Sequence, residues 1–178
     1  MTLVEVAVAL TILAGLTAVG LPALRDFVSS RAVDAHAEEL VKALRLARSE
    51  AIKRGLEVTV CAGQNLESGS PSCSASTAWQ VGAVTLVDYD ANGALGGNDF
   101  VIRAFNGAAG VSQVTTTTKS VTLARTGILL LANGLAVADG ATISFIVKPL
   151  SGSTRQSRTI CLNKQGRVSV SRGEITCA

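Results

Sequence analysis

Hydrophobic and polar positions divide the chain into three regimes. Nineteen residues from Val6 to Leu24 carry no charge, and Arg25 and Asp26 end the run. As a helix, the first 24 residues span roughly 36 Å, enough to cross the hydrocarbon core of a bilayer. The pattern then changes. Val33, Ala37, Leu40, Leu44, Ala47 and Ala51 recur at spacings of 4, 3, 4, 3 and 4, which is one apolar stripe of an amphipathic helix. Asp34, Glu38, Glu39, Lys42, Arg45, Arg48, Glu50 and Lys53 fill the opposite face. Three alanines in the stripe predict close packing against a sheet. Lys53 and Arg54 suit a helix C-terminus and Gly55 suits the position after it, so one helix of about fifty residues is predicted from Met1 to Arg54.

From Leu56 onward the chain turns to short alternating runs rich in Val, Thr, Ile, Gly and Ser. Strands are predicted over residues 57–61, 81–87, 100–104, 120–125, 142–147, 158–162 and 167–171. Turn signals separate several of them: Ala91-Asn92-Gly93, Ala138-Asp139-Gly140 and Asn163 to Gly166. Thr115–Thr118 reads as strand or loop. No Pro-rich or Gly/Ser-rich linker and no internal repeat divides the chain. The length of 178 residues allows one anchor helix and one domain of about 120 residues. The predicted fold class is α+β: a long N-terminal helix whose amphipathic half packs on an antiparallel sheet or sandwich. Residues 1–28 form the apolar half of the helix and residues 29–178 the globular domain.

One carboxylate, Glu5, stands at the start of the apolar run. A charge there is costly in lipid unless it has a partner. A signal peptide would carry basic residues before a shorter apolar core. A plain anchor gives no reason for the acid. Met1-Thr2-Leu3-Val4-Glu5 followed by a long apolar helix with Pro22 resembles the N-terminus of a mature type IV pilin or type II secretion pseudopilin. The departure is Met1, where that family usually has phenylalanine, and the basic leader with its glycine is absent. The resemblance implies a chain already cut by a prepilin peptidase, or a start placed at the cut, with Met1 as the methylated residue. It implies that Glu5, with the amine of Met1, docks subunits by pairing with a neighbour. A local N-terminal cap within one subunit is the alternative. Gly15, Gly20 and Pro22 weaken the helix midway, so Pro22 is a candidate helix break. The same resemblance implies the inner membrane as holding site, a periplasmic domain, and other pilins or pseudopilins as partners.

Leu44 to Cys61 (LRLARSEAIKRGLEVTVC) resembles the GspH/FimT branch of the pilin superfamily, as does Trp79-Gln80-Val81-Gly82 followed by LVDYDANG. This branch holds type II secretion pseudopilin H and the FimT/FimU-type minor pilins. It implies the type IV pilin fold and a part in a tip or priming complex for filament assembly. Pilus and secretion system are not distinguished by these motifs.

The four cysteines, Cys61, Cys73, Cys161 and Cys177, show no C-x-x-C pair and no Cys/His spacing suited to zinc. In an exported domain two disulfides are the natural reading, and local pairing is the simplest of three connectivities. Four reduced, buried cysteines are the alternative. The net charge of +3 is unevenly spread. Lys148, Arg155, Arg158, Lys164, Arg167 and Arg172 oppose only Glu174 in the last thirty-one residues. Such a cluster suits phosphates and salt-sensitive binding. FimT-type pilins of competent bacteria bind DNA through a G-R-x-R motif, and Gly166-Arg167-Val168-Ser169 matches it in part. Arg158, Lys164, Arg167 and Arg172 are therefore candidate contacts to double-stranded DNA for uptake. A solvated basic face, or one meeting an acidic neighbour, is the alternative, and no aromatic residues interleave the cluster for base stacking.

Asp88-Tyr89-Asp90-Ala91-Asn92-Gly93 has the opening of a calcium loop, but position twelve is Asp99 rather than glutamate. A turn with Asx chemistry explains the motif as well. His36 lies among charged residues and is expected on the surface or in a groove. There is no phosphate loop, no G-x-S-x-G and no metal-ligand cluster, so neither catalysis nor a cofactor is expected.

Overall fold

The computed structural model describes residues 2–90, 92, 95–130 and 135–177; the side chains of Val19, Pro22 and Ala23 are not among the described parts. Helix α1 spans Leu3–Arg54 and runs through position 22 without interruption. Thr2 caps it: the Thr2 hydroxyl accepts from the Glu5 N–H at 3.3 Å, and the Glu5 carboxylate accepts from the Thr2 N–H at 3.3 Å. This reciprocal pair satisfies two backbone donors that a helix start leaves open. At the other end Gly55 takes φ 66° and its N–H returns to the Ala51 carbonyl at 2.9 Å. Lys53 and Arg54 occupy the last turn, as the dipole favours.

The helix lives in two environments. Residues 3–28 stay outside the domain, with Leu3 at 87% exposure and Leu10, Ile12, Leu16 and Phe27 each above half. At Ser29 the chain enters the domain. Its hydroxyl donates to the Gly110 carbonyl at 3.0 Å and accepts from the Leu150 N–H at 3.1 Å, tying the helix to two loops. From there the stripe Val33, Ala37, Leu40, Leu44, Ala47 and Ala51 is buried throughout.

The strands are β1 Val58–Gln64, β2 Ser72–Cys73, β3 Gly82–Val87, β4 Phe100–Asn106, β5 Val111–Thr115, β6 Ser120–Leu123, β7 Leu129–Leu130, β8 Thr142–Pro149, β9 Arg158–Asn163 and β10 Val168–Arg172. Among the described residues they form two antiparallel sheets. One has the order β4-β3-β1-β6-β7, with β2 paired to β1; the other has the order β10-β9-β8-β5. The helix stripe packs across both. Val58, Val60, Ala83, Val121 and Leu123 of the first sheet and Phe145, Val147, Ile160 and Leu162 of the second share one buried cluster with it. Trp79 fills the seam between the sheets. Its ring meets Phe145 edge-on at 4.9 Å and its indole N–H donates to the Thr118 carbonyl at 2.8 Å.

All seven predicted strands are present, with ends shifted by at most three residues. Three others were not predicted. β5 is an edge strand with only Val114 buried, so it has no period-two signal. β2 and β7 are two residues long. β3 is buried on both faces because the outer side of its sheet carries a second cluster of Cys61, Val84 and Leu86 beneath Leu66, Leu95 and Val101. Both disulfides are local, Cys61–Cys73 and Cys161–Cys177. The first fastens β2 and its preceding loop to β1; the second fastens the C-terminal tail to β9.

His36 corrects the sequence expectation. It is 2% exposed rather than at the surface, edge-on to Phe105 at 5.8 Å. It stands three residues after Val33 and four before Leu40, hence on the buried stripe. No hydrogen bond of normal geometry reaches either ring nitrogen. Burial holds its pKa below the usual 6.5, and the backbone of Trp79 offsets part of that. The unfolded chain therefore takes the proton first as pH falls. Stability is full above about pH 6.5 and declines below it. Thermal melts from about pH 7 to pH 5 should show this decline, and His36→Leu should flatten it; an unchanged slope would refute the assignment. Converting Cys161 and Cys177 together to alanine should lower the urea-derived stability by about 2–3 kcal/mol, with the fold retained.

Candidate functional site: the assembly end and the basic surface

Two surfaces carry the candidate chemistry. The first is the protruding half of α1. Glu5 is fixed by Thr2 in the first turn, so its carboxylate sits at the positive end of the helix dipole. Behind it Val6, Val8, Leu10, Ile12, Leu13, Leu16, Leu21 and Leu24 all point into solvent. An apolar surface of this size in one place marks a contact with lipid or protein. Among the described residues no helix is long and apolar enough to cross a membrane, and three positions inside the apolar run are not described. Met1 also lies outside the described residues.

The second surface is the basic C-terminal region, where the structure does not unite the candidate residues. Arg158 starts β9 and reaches across to the helix, where it pairs with Asp34 at 2.7 Å; its side chain is 13% exposed. It also donates to the Gln156 and Ser157 carbonyls. Lys164, in the turn after β9, donates to Asp139 at 2.6 Å, and this bond holds the Asp139 carboxyl below the usual carboxylate range. Lys148 pairs with Glu174 at 2.9 Å. Arg155, Arg167 and Arg172 are exposed and make no ion pair among the described residues. Arg167 and Arg172 flank opposite ends of β10, roughly 16 Å apart at strand rise.

Two residues absent from the candidate set belong beside Arg167. Arg45 and Arg48 of α1 line a groove with Ser49, Ile52, Gly166, Arg167 and Val168. Both sit on the polar face of the stripe pattern, and nothing in sequence places that face beside the β9–β10 turn.

The loop after β3 brings Asp88, Asp90 and Asp99 together, with one oxygen from each within 4.8 Å of the others. Asp88 is buried and accepts from the Thr59 hydroxyl at 2.9 Å and the Asn92 N–H at 3.1 Å. Asp99 accepts from the Tyr89 and Gly96 N–H groups. These bonds are turn chemistry and account for the three acids by closing the loop. Glu57, next to Asp88, has its pKa raised by burial and then by that neighbouring charge, with Arg125 opposing.

A helix half free and half laid across two antiparallel sheets, capped by a carboxylate at the free end, defines the pilin class of filament subunit. The family model described as Type II transport protein GspH matches residues 36–166, and the chain belongs to that family. Solved structures agree on the fold. Two crystal structures of the type IV minor pilin FimU from Pseudomonas aeruginosa superpose with TM-scores of 0.58 and 0.53 at 19% and 18% identity. The first covers 82% of this chain and 92% of that one, the second 78% and 91%. No curated protein matches the chain.

The pairing pattern has a measurable consequence. Arg158→Ala strands Asp34 and empties a mostly buried site, so it should lower stability by about 1–2 kcal/mol in urea titration. Arg172→Ala should stay within about 0.5 kcal/mol of the parent.

Proposed function

We propose that this protein is a minor pilin or pseudopilin whose apolar helix serves two settings in turn. Before assembly residues 1–28 hold the chain in the inner membrane, with the domain from residue 29 in the periplasm. In the assembled state the same residues pack in the core of a type IV pilus or type II secretion pseudopilus, as part of a tip or priming complex. The observation that carries this reading is the continuous helix whose described apolar side chains from Leu3 to Leu21 are exposed beyond the domain. Family membership and the pilin fold support it.

Glu5 is the docking residue of this proposal. Among the described residues its carboxylate accepts from the backbone N–H of Thr2. In an apolar filament core that carboxylate requires a positive partner, and the amine at Met1 of a neighbouring subunit supplies one. Processing by a prepilin peptidase and methylation at Met1 belong to the same proposal. Gly15, Gly20 and Pro22 make the exposed half the weaker part of the helix and the place for it to bend or melt on packing.

Capture of double-stranded DNA by the tail is the second reading, supported by the exposed side chains of Arg167 and Arg172, which make no ion pair among the described residues. Arg158 and Lys164 are engaged by Asp34 and Asp139, which weakens their part in it.

Glu5→Ala should sharply reduce incorporation into filaments and the number of filaments formed, while the melting temperature of the protein stays near the parent's. Normal incorporation of Glu5→Ala, read by immunogold labelling of sheared filaments, would sink the docking role.

A further inference from the structure

The groove at the upper end of α1 is lined by three guanidiniums, those of Arg45, Arg48 and Arg167, and by no carboxylate. Six other cationic side chains are paired within the chain: Lys42 and Arg103 with Glu39, Arg54 with Glu50, Lys148 with Glu174, Arg158 with Asp34 and Lys164 with Asp139. The three groove arginines make no ion pair among the described residues. The volume between them is about 570 Å³.

Arg48 is built in rather than draped over the surface. Its Nε is buried and meets no acceptor among the described residues. Two turns, one from each sheet, close on its stem. A Cβ at Gly127 would lie 3.2 Å from Arg48 Nε, and a Cβ at Gly166 would lie 3.1 Å from its Cδ. Both glycines have positive φ, 77° and 69°, so the turns themselves demand glycine and leave this slot for the arginine. The two turns hold the Arg48 stem in place, and the residue lines the groove beside Arg45 and Arg167.

We propose that Arg45, Arg48 and Arg167 form a binding site for a phosphate-class oxyanion. Three arginines on one groove match the several oxygens and the higher charge of a phosphate better than a single carboxylate. Ile52 and Val168 on the groove wall give the organic part of a phosphate ester an apolar contact, and Ser49 adds a hydroxyl. The site does not rest on the filament reading, since a chain unable to assemble still contains it. It differs from a linear basic tail because two of its three cations come from the helix.

The test uses the full chain in micelles of an uncharged detergent at constant ionic strength. Inorganic phosphate replaces chloride, and phosphorus NMR line width and the melting temperature are followed. Saturable broadening and a rise in melting temperature are expected. Arg48→Gln and Arg167→Gln should each weaken the apparent affinity about tenfold, a loss of about 1.4 kcal/mol. Lys119→Gln, at an exposed residue outside the groove, should leave it unchanged. Arg167 is exposed in a turn, so its variant keeps the test valid if Arg48→Gln folds poorly. Competition by a short DNA duplex assigns a nucleic-acid backbone as the phosphate source; no competition assigns a small phosphate ligand, and both support the site. Broadening that is absent, or that survives Arg167→Gln, overturns it.

Discussion

One packing constraint organises this protein: a single stripe of α1 must cover two sheets at once. The stripe alternates alanine with larger residues, and Ala37, Ala43, Ala47 and Ala51 let the helix axis approach both sheets closely. Leu40 and Leu44 reach into the gap between the sheets, where Phe145 and Trp79 meet. Inner residues of both sheets share one buried cluster with the helix, so each sheet uses the helix for burial. Close packing leaves little room for a larger residue at the alanine positions. The helix is thus both the hub of the domain and, beyond Ser29, the part that leaves it.

The entry and exit of the helix are fastened by different chemistry. At the entry Ser29 joins Gly110 and Leu150 through hydrogen bonds. At the exit the turns at Gly127 and Gly166 close around Arg48, and the Leu129 N–H reaches the Lys164 carbonyl at 2.8 Å to link the sheets directly. The free half of the helix is therefore carried by a rigid domain.

Charge on the domain is organised by the same geometry. Asp34 and Glu39 of α1 receive Arg158 of β9 and Arg103 of β4, one from each sheet. These pairs consume cations that a count along the sequence leaves free. Arg45 and Arg48, which the sequence places among alternating charges, end beside Arg167 with no acid between them. The excess of basic residues in the last thirty-one positions is a fact of composition. The positive groove is a fact of packing.

Sequence by itself determined the long helix, its end at Gly55, the buried stripe and seven of the strands, and it favoured two local disulfides. The physical reason is that period and local turn chemistry act over a few residues and can be read along the chain. The Thr2–Glu5 capping box, the 4-3 spacing and the twelve- and sixteen-residue separations of the cysteines are all local. His36 was readable from the same spacing and was missed because its charged neighbours drew attention from the stripe it shares with Val33 and Leu40. Tertiary structure alone decided the division into two sheets, the partners of Arg158 and Lys164, and the meeting of Arg45, Arg48 and Arg167. Those features join residues from 25 to more than a hundred positions apart. No periodicity encodes such pairs; they follow from the way one helix stripe brings both sheets against it.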